Sequence, residues 1–321
     1  MPMEEATISV PILVQPRLDS KPWGGARLAH FGIDLGGSDQ VGEAVLTSND
    51  AIVAQGTYAG QTLGDLVARD PETLLGPVAR HFRSTGFPLL AKLIDAHENL
   101  SIQVHPTDDL APTDSCGKTE AWFILEAAPG AVVYAGLQDG VAVDEVRRRL
   151  ETGESIVPLV RTVPVAPGDT LFLPAGTIHA LGGGIVLYEI QQQSAITYRL
   201  EDWGRAREMH VDVGLAAMDH NLRPEPNRAE MRTSDNRPKP AVHCDYFSLE
   251  VLQIGPGERI EIARESGPQV FTCVRGETEL NAGQRGVTLD AGSTAVLFAD
   301  AGPARISSST GGRVLRAWIG G

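Results

Sequence analysis

In PGDTLFLPAGTIHALGGG, Pro167 to Gly184, the apolar run TLFL is bracketed by turn signals. Gly168 and Asp169 precede it, and Pro174 and Gly176 follow. The spacing G-D-x4-P-x-G-x2-H reads as a tight turn, a strand, a second turn and a histidine, His179, aimed into the mouth of a barrel. The same rhythm continues outward. Glycine (35) and proline (21) punctuate short apolar runs such as AWFIL, AVVYAGL and GIVLYEIQ. Strands and turns in that alternation predict a sandwich or barrel.

Helical patterns are fewer. Thr62 to Phe82 carries apolar residues at helical spacing, and Pro71 should split it into two short helices. Ala142 to Leu150 reads as another helix, with acidic residues early and arginines late. Arg205 to His220 holds a further candidate. The polar segment Arg223 to Pro240 contains four prolines and reads as a linker. The expected organisation is a catalytic unit over 1–222, a linker over 223–240 and a smaller β domain over 241–321.

Bulk properties narrow the function. The 41 acidic and 27 basic residues give net charge −14, which argues against a nucleic-acid backbone as partner. A few local cations still suffice for one phosphate. The three cysteines, Cys116, Cys244 and Cys273, form no disulfide framework or thiolate cluster and suit a reducing compartment. MPMEEATISV lacks the features of a secretory leader. No segment reaches the roughly 20 apolar residues that span a bilayer. A cytoplasmic protein with no nucleic-acid or membrane partner is the expectation; oligomeric state is not legible.

Three segments gather the chemistry. In SIQVHP, Ile102 and Val104 alternate with Ser101, Gln103 and His105, so one strand face is aliphatic and the other polar. In GKTEAWFIL, Lys118, Glu120 and Trp122 share a face. The third segment supplies His179. Gln103, His105, Glu120 and His179 together offer an amide, two imidazoles and a carboxylate, a set for Zn2+ or another divalent first-row ion. Taken singly each has an ordinary alternative: a hydrogen-bonded edge histidine for His105, a solvated face for Lys118 and Glu120, a turn residue for His179.

The third segment resembles the second cupin motif. The complete series resembles the short bacterial form of type I mannose-6-phosphate isomerase (phosphomannose isomerase). It is carried by KPWGG (Lys21 to Gly25), FPLLAKLIDAHENLSIQVHPTD (Phe87 to Asp108), GKTEAWFIL (Gly117 to Leu125), PGDTLFLPAGTIHALGGG and EIQQQSAITYRLEDWGR (Glu189 to Arg205), in the family's order.

The resemblance implies a mainly β chain: a cupin jelly-roll barrel with inserted helices, plus a second, smaller cupin-like domain. It implies one Zn2+ per chain on Gln103, His105, Glu120 and His179. The activity implied is interconversion of mannose 6-phosphate and fructose 6-phosphate through an enediol. Lys92 and Ser101 match substrate-binding positions for the phosphate, although without the resemblance Lys92 reads as a surface lysine on a helix. The resemblance makes Arg199 a catalytic candidate that would stabilise the enediolate, with a salt bridge to Glu201 or Asp202 as its ordinary alternative. Thr197 and Arg199 follow Glu189, Gln191 and Gln193 on one face if that strand is unbroken. Lys118 is the candidate proton carrier; water on the metal, Glu189 or His97 are alternatives.

The chain departs from relatives at two positions. Val45 lies where they often have a tryptophan and a carboxylate nearby, and Ala195 stands where they often have an acid. Rival functions are a metal-dependent cupin oxygenase, a sugar-phosphate-binding cupin without catalysis, and an isomerase for another sugar phosphate.

Overall fold

The computed structural model describes residues 8–78, 86–227 and 238–319. Phe82 and most of the expected linker, residues 228–237, lie outside the described residues. The first half holds strands β1 (Ile12–Val14), β2 (Arg17–Gly25), β3 (Val41–Thr47), β4 (Leu89–Ala96), β5 (Ile102–Val104), β6 (Glu120–Ala127), β7 (Val132–Leu137), β8 (Val160–Pro164), β9 (Thr170–Leu173), β10 (His179–Leu181), β11 (Ile185–Gln192) and β12 (Tyr198–Glu201). The second holds β13 (Lys239–His243), β14 (Ser248–Ile254), β15 (Glu258–Ile262), β16 (Gln269–Ala282), β17 (Arg285–Asp290), β18 (Thr294–Leu297), β19 (Ala304–Ser308) and β20 (Gly312–Trp318).

Three sheets stack into layers. Six strands run in the order β2-β3-β4-β11-β6-β9, and five in the order β12-β5-β10-β7-β8. Trp23, Ile94, Trp122, Ile124, Val133, Leu171 and Leu187 pack between these two sheets. The other face of the six-stranded sheet carries Leu46, Leu93, Phe123, Tyr188 and Ile190, which join Leu249 and Val270 of the third sheet and the flanking Phe247 and Phe298 in one core. β11 therefore alternates between two interiors, Leu187 inward to the barrel and Tyr188 and Ile190 outward. Both faces are buried, which is why GIVLYEIQ reads as a nearly continuous apolar run.

The third sheet belongs to the C-terminal half with one exception. Ile12, Leu13 and Val14 pair with Val296, Ala295 and Thr294 of β18. The start of the chain thus crosses the expected boundary at residue 222, and β1 covers an edge of β18 that would otherwise be open to pairing.

The expected helices form with adjusted bounds. Leu63–Arg69 and Pro71–Leu75 are split at Pro71, which occupies the first turn of the second helix after its cap Asp70. Val143–Thr152 follows the Ala142 signal. The helix within Arg205 to His220 is confined to Val211–Ala217. Ile102 and Val104 pack with Val146, Leu200 and Leu215 on the outer face of the five-stranded sheet, beneath these last two helices.

Asp95, on β4 three residues past Lys92, is fully buried and accepts from the Arg27 backbone N–H at 2.7 Å and from Arg27 Nε at 2.9 Å. This pair ties the Arg27–Phe31 turn to the sheet. Asp95→Ala should lower the unfolding free energy by about 2–3 kcal/mol, because it strands the partly buried guanidinium. Urea denaturation would measure it, and a change within error would show the tie to be redundant.

Candidate active site

Cross-strand register builds two facing rows of side chains. In the five-stranded sheet Gln103 pairs with His179 on one side and with Arg199 on the other. In the six-stranded sheet Lys92 pairs with Val45 and Glu189, and Glu189 pairs with Trp122. Glu120 begins β6 opposite Gln191 and Leu173. The turns around β9 set the first row. Gly168 and Gly176 have φ of 90° and 91°, a region that favours glycine. The Gly176 N–H donates to the His105 carbonyl at 2.8 Å, joining the His179 turn to the end of β5.

His105, Glu120 and His179 converge, with donor atoms within 4.8 Å of one another, and all three are buried. His105 Nδ1 donates to the Ile196 carbonyl at 2.7 Å, and His179 Nδ1 to the Thr177 carbonyl at 2.9 Å. Both rings therefore carry their lone pair on Nε2, which faces the cluster, as metal-ligating histidines do. The Nε2 atoms lie 3.4 Å and 3.3 Å from Glu120 oxygens. Neither Glu120 oxygen accepts a hydrogen bond of good geometry. Lys118 Nζ stands 3.0 Å from Oε2 as an ion pair and 3.0 Å from His105 Nε2.

The Gln103 amide nitrogen lies 3.2 Å from His179 Nε2 and 3.5 Å from His105 Nε2. Its oxygen accepts from Ser101 Oγ at 3.2 Å. The backbone step expected between Ser101 and Gln103 is thus bridged by their side chains. A half-turn of the carboxamide exchanges oxygen and nitrogen, and the Ser101 hydroxyl can partner either. A buried carboxylate whose oxygens accept no hydrogen bond of good geometry, two inward lone pairs and a turnable amide fit a divalent cation.

The electrostatics agree with that donor set. Burial first, then the Lys118 ammonium, pushes the His105 imidazole down to about 3. Burial also lowers His179. Burial alone would raise Glu120, but the Lys118 ammonium outweighs it and its carboxyl stays well below the usual range. Glu120 is thus ionised beside neutral imidazoles, the protonation state that ligands require.

A second polar row crosses the six-stranded sheet. Lys21 Nζ lies 3.4 Å from Glu43 Oε2, and Lys92 Nζ lies 3.7 Å from Glu43 Oε2 and 3.3 Å from Glu189 Oε1. Trp122 Nε1 donates to Glu189 Oε2 at 3.0 Å. Lys92 is on strand β4, not on a helix, and is mostly enclosed. Burial works against its charge, yet Glu189 and then Glu43 hold it protonated, above the ordinary lysine range.

Members of both rows line one cavity of about 270 Å³, with His105, Glu120 and His179 buried behind the Gln103 and Lys118 side chains that reach it. Ser101, Gln103, Lys92, Lys118, Glu189 and Arg199 all face it, and so do both departures, Val45 and Ala195. His97 is exposed and is not among the lining residues. Arg17, Lys21 and Arg207, which sequence reading did not single out, complete six cationic side chains against three acidic ones. Arg17, Asp19 and Lys21 alternate on β2, a period-2 signal that was present in RLDSK but reads as a solvated face. Arg207 carried no signal; it is positioned by the buried Asp202, at 2.7 Å and 2.5 Å.

One condition set by the sequence is not met, and the ordinary alternative for Arg199 is not found. The strand from Glu189 to Arg199 is broken: β11 ends at Gln192, and β12 starts at Tyr198 in the other sheet. Gln191 donates to the Gln192 and Ser194 carbonyls, which draws the chain out of the ladder. Among the described residues, Arg199 makes no salt bridge to Glu201 or Asp202. Glu201 is occupied by Ser155 and the Ile156 N–H, Asp202 by Arg205 and Arg207, and Arg199 donates to the Glu208 carbonyl at 2.8 Å.

Comparison with known proteins points one way. A family model described as phosphomannose isomerase type I, catalytic domain, matches residues 13–123. Mannose-6-phosphate isomerase ManA of Bacillus subtilis is 33% identical over 253 residues, 74% of this chain and 78% of that protein. Mannose-6-phosphate isomerase of Streptococcus mutans is 35% identical over 218 residues, 64% of this chain and 66% of that protein. The crystal structure of the Bacillus subtilis mannose 6-phosphate isomerase superposes with a TM-score of 0.81 at 27% identity, covering 96% of this chain and 99% of the other.

Proposed function

The chain belongs to the type I phosphomannose isomerase family, and from that premise we propose that it interconverts mannose 6-phosphate and fructose 6-phosphate with one Zn2+ held by Gln103, His105, Glu120 and His179. The observation that carries the reading is the meeting of two inward imidazole lone pairs with a carboxylate whose oxygens accept no hydrogen bond, beside a cation-lined cavity.

The reaction moves a proton between C2 and C1 while the carbonyl moves the other way. A bound divalent ion supplies polarisation of the carbonyl and stabilisation of charge developing on oxygen. Arg199, a permanent cation on the cavity wall, stabilises the enediolate. Lys118 carries the proton; Glu189 faces the same cavity and is the second candidate. Lys92 and Ser101 hold the phosphate. Arg17, Lys21 and Arg207 add to Lys92 on the same cavity, where six cationic side chains against three acidic ones leave the excess positive charge that a phosphate dianion needs. Binding at that remote group positions the reacting carbons.

The three free cysteines suit a cytoplasmic setting. Among the described residues no helix is long and apolar enough to cross a membrane. The unit 241–321, whose one histidine is His243, serves a structural or interfacial role.

Metal analysis coupled to an isomerase assay on mannose 6-phosphate tests the reading. One metal per chain is expected, with activity lost on chelation and restored by Zn2+. Full turnover in the chelated protein, or sugar-phosphate binding with no interconversion, would overturn it.

A further inference from the structure

We propose that Trp122 is a positioning residue for the isomerisation, whose indole N–H fixes the Glu189 carboxylate in the sugar-phosphate cavity; this rests on Glu189 working in that isomerase site. Trp122 and Glu189 are cross-strand partners on β6 and β11 and are 2% and 4% exposed. The indole donates to Glu189 Oε2 at 3.0 Å. Oε1 lies 3.3 Å from Lys92 Nζ and accepts no hydrogen bond of good geometry. One oxygen is therefore pinned by the indole and the other is left beside the Lys92 ammonium, in a residue that lines the cavity.

A lysine by itself would orient this carboxylate poorly. The ammonium is a point charge with three rotatable donors on a flexible stem, and the terminal torsion of glutamate is broad. An indole N–H is a donor only and sits on a ring that cannot turn within a packed interior. Trp122 is held further by its edge-to-face contact with the His179 ring, centroids 5.5 Å apart. A buried indole needs some acceptor, but any main-chain carbonyl would meet that need. Here the acceptor is an acid that lines the cavity.

A double-mutant cycle on the metal-loaded enzyme tests this, with Trp122→Phe made in the native and Glu189→Gln backgrounds. In the native background kcat should fall about 10- to 100-fold, the loss expected for one hydrogen bond to a charged group. KM for mannose 6-phosphate should stay within about 2-fold, since the pinned acid acts on the reacting carbons rather than on binding. Metal content should stay at one per chain. In the Glu189→Gln background the same change should cost less than about 2-fold.

An equal loss in both backgrounds, an unchanged kcat, or loss of metal through His179 would overturn the proposal. Native turnover in Glu189→Gln alone would remove its premise, a result separate from any behaviour of Trp122. If the phenylalanine variant does not fold, benzothienylalanine at position 122 keeps the ring shape without the donor. It should give the same kcat loss, and full activity with it would equally overturn the proposal.

Discussion

His179→Ala is expected to empty the metal site and lower kcat/KM by ~1000-fold or more, because the ion supplies the charge stabilisation that the reaction requires. The residue is 2% exposed, and its Nε2 points at Glu120 Oε1, 3.3 Å away. Removing it leaves Gln103, His105 and Glu120, of which only one donor is a strong nitrogen ligand. The turn that carries it is held by the Gly176 N–H and the Thr177 hydroxyl, so the backbone should keep its course. Metal per chain, read by elemental analysis, should fall to near zero, while circular dichroism keeps its β signature. Retention of one metal per chain would show that the ion sits elsewhere.

Lys118→Ala is expected to lower turnover by about 100- to 10,000-fold, the range for loss of a general acid–base group. Zinc content should stay near one per chain. Lys118 lies 3.0 Å from Glu120 and from His105, but it is a neighbour of the donors and contributes no ligand atom of its own. Lys118→Arg separates proton transfer from simple anchoring. Arginine keeps the charge and cannot give up its proton, so turnover should remain low even where KM recovers. Unchanged turnover in the alanine variant would remove Lys118 from the mechanism.

Much of the site was legible because strand periodicity is local. The alternation in SIQVHP placed Gln103 and His105 on one face and Ile102 and Val104 on the other, and the structure packs those two aliphatics under the outer helices. The turn pattern around Thr170–Leu173 located His179, and Gly168 and Gly176 take the positive φ that such turns require. Alternation falls short at two places for one reason. It carries no information about where a strand leaves its sheet, so the condition that would have put Glu189 and Arg199 on one face could not be tested from the sequence, and the two lie in different sheets. Likewise, the charged alternation of Arg17, Asp19 and Lys21 resembles a solvated face unless the opposite wall is known.

By itself, then, the amino-acid order determined which residue types alternate, where turns must fall and which donors are available, since these depend on neighbours along the chain. Only the tertiary structure decided that Glu120 from one sheet meets His105 and His179 from another, that β1 closes the far domain's sheet, and that Trp122 reaches Glu189. Those meetings depend on cross-strand register and layer packing between segments far apart in sequence, which no local period encodes.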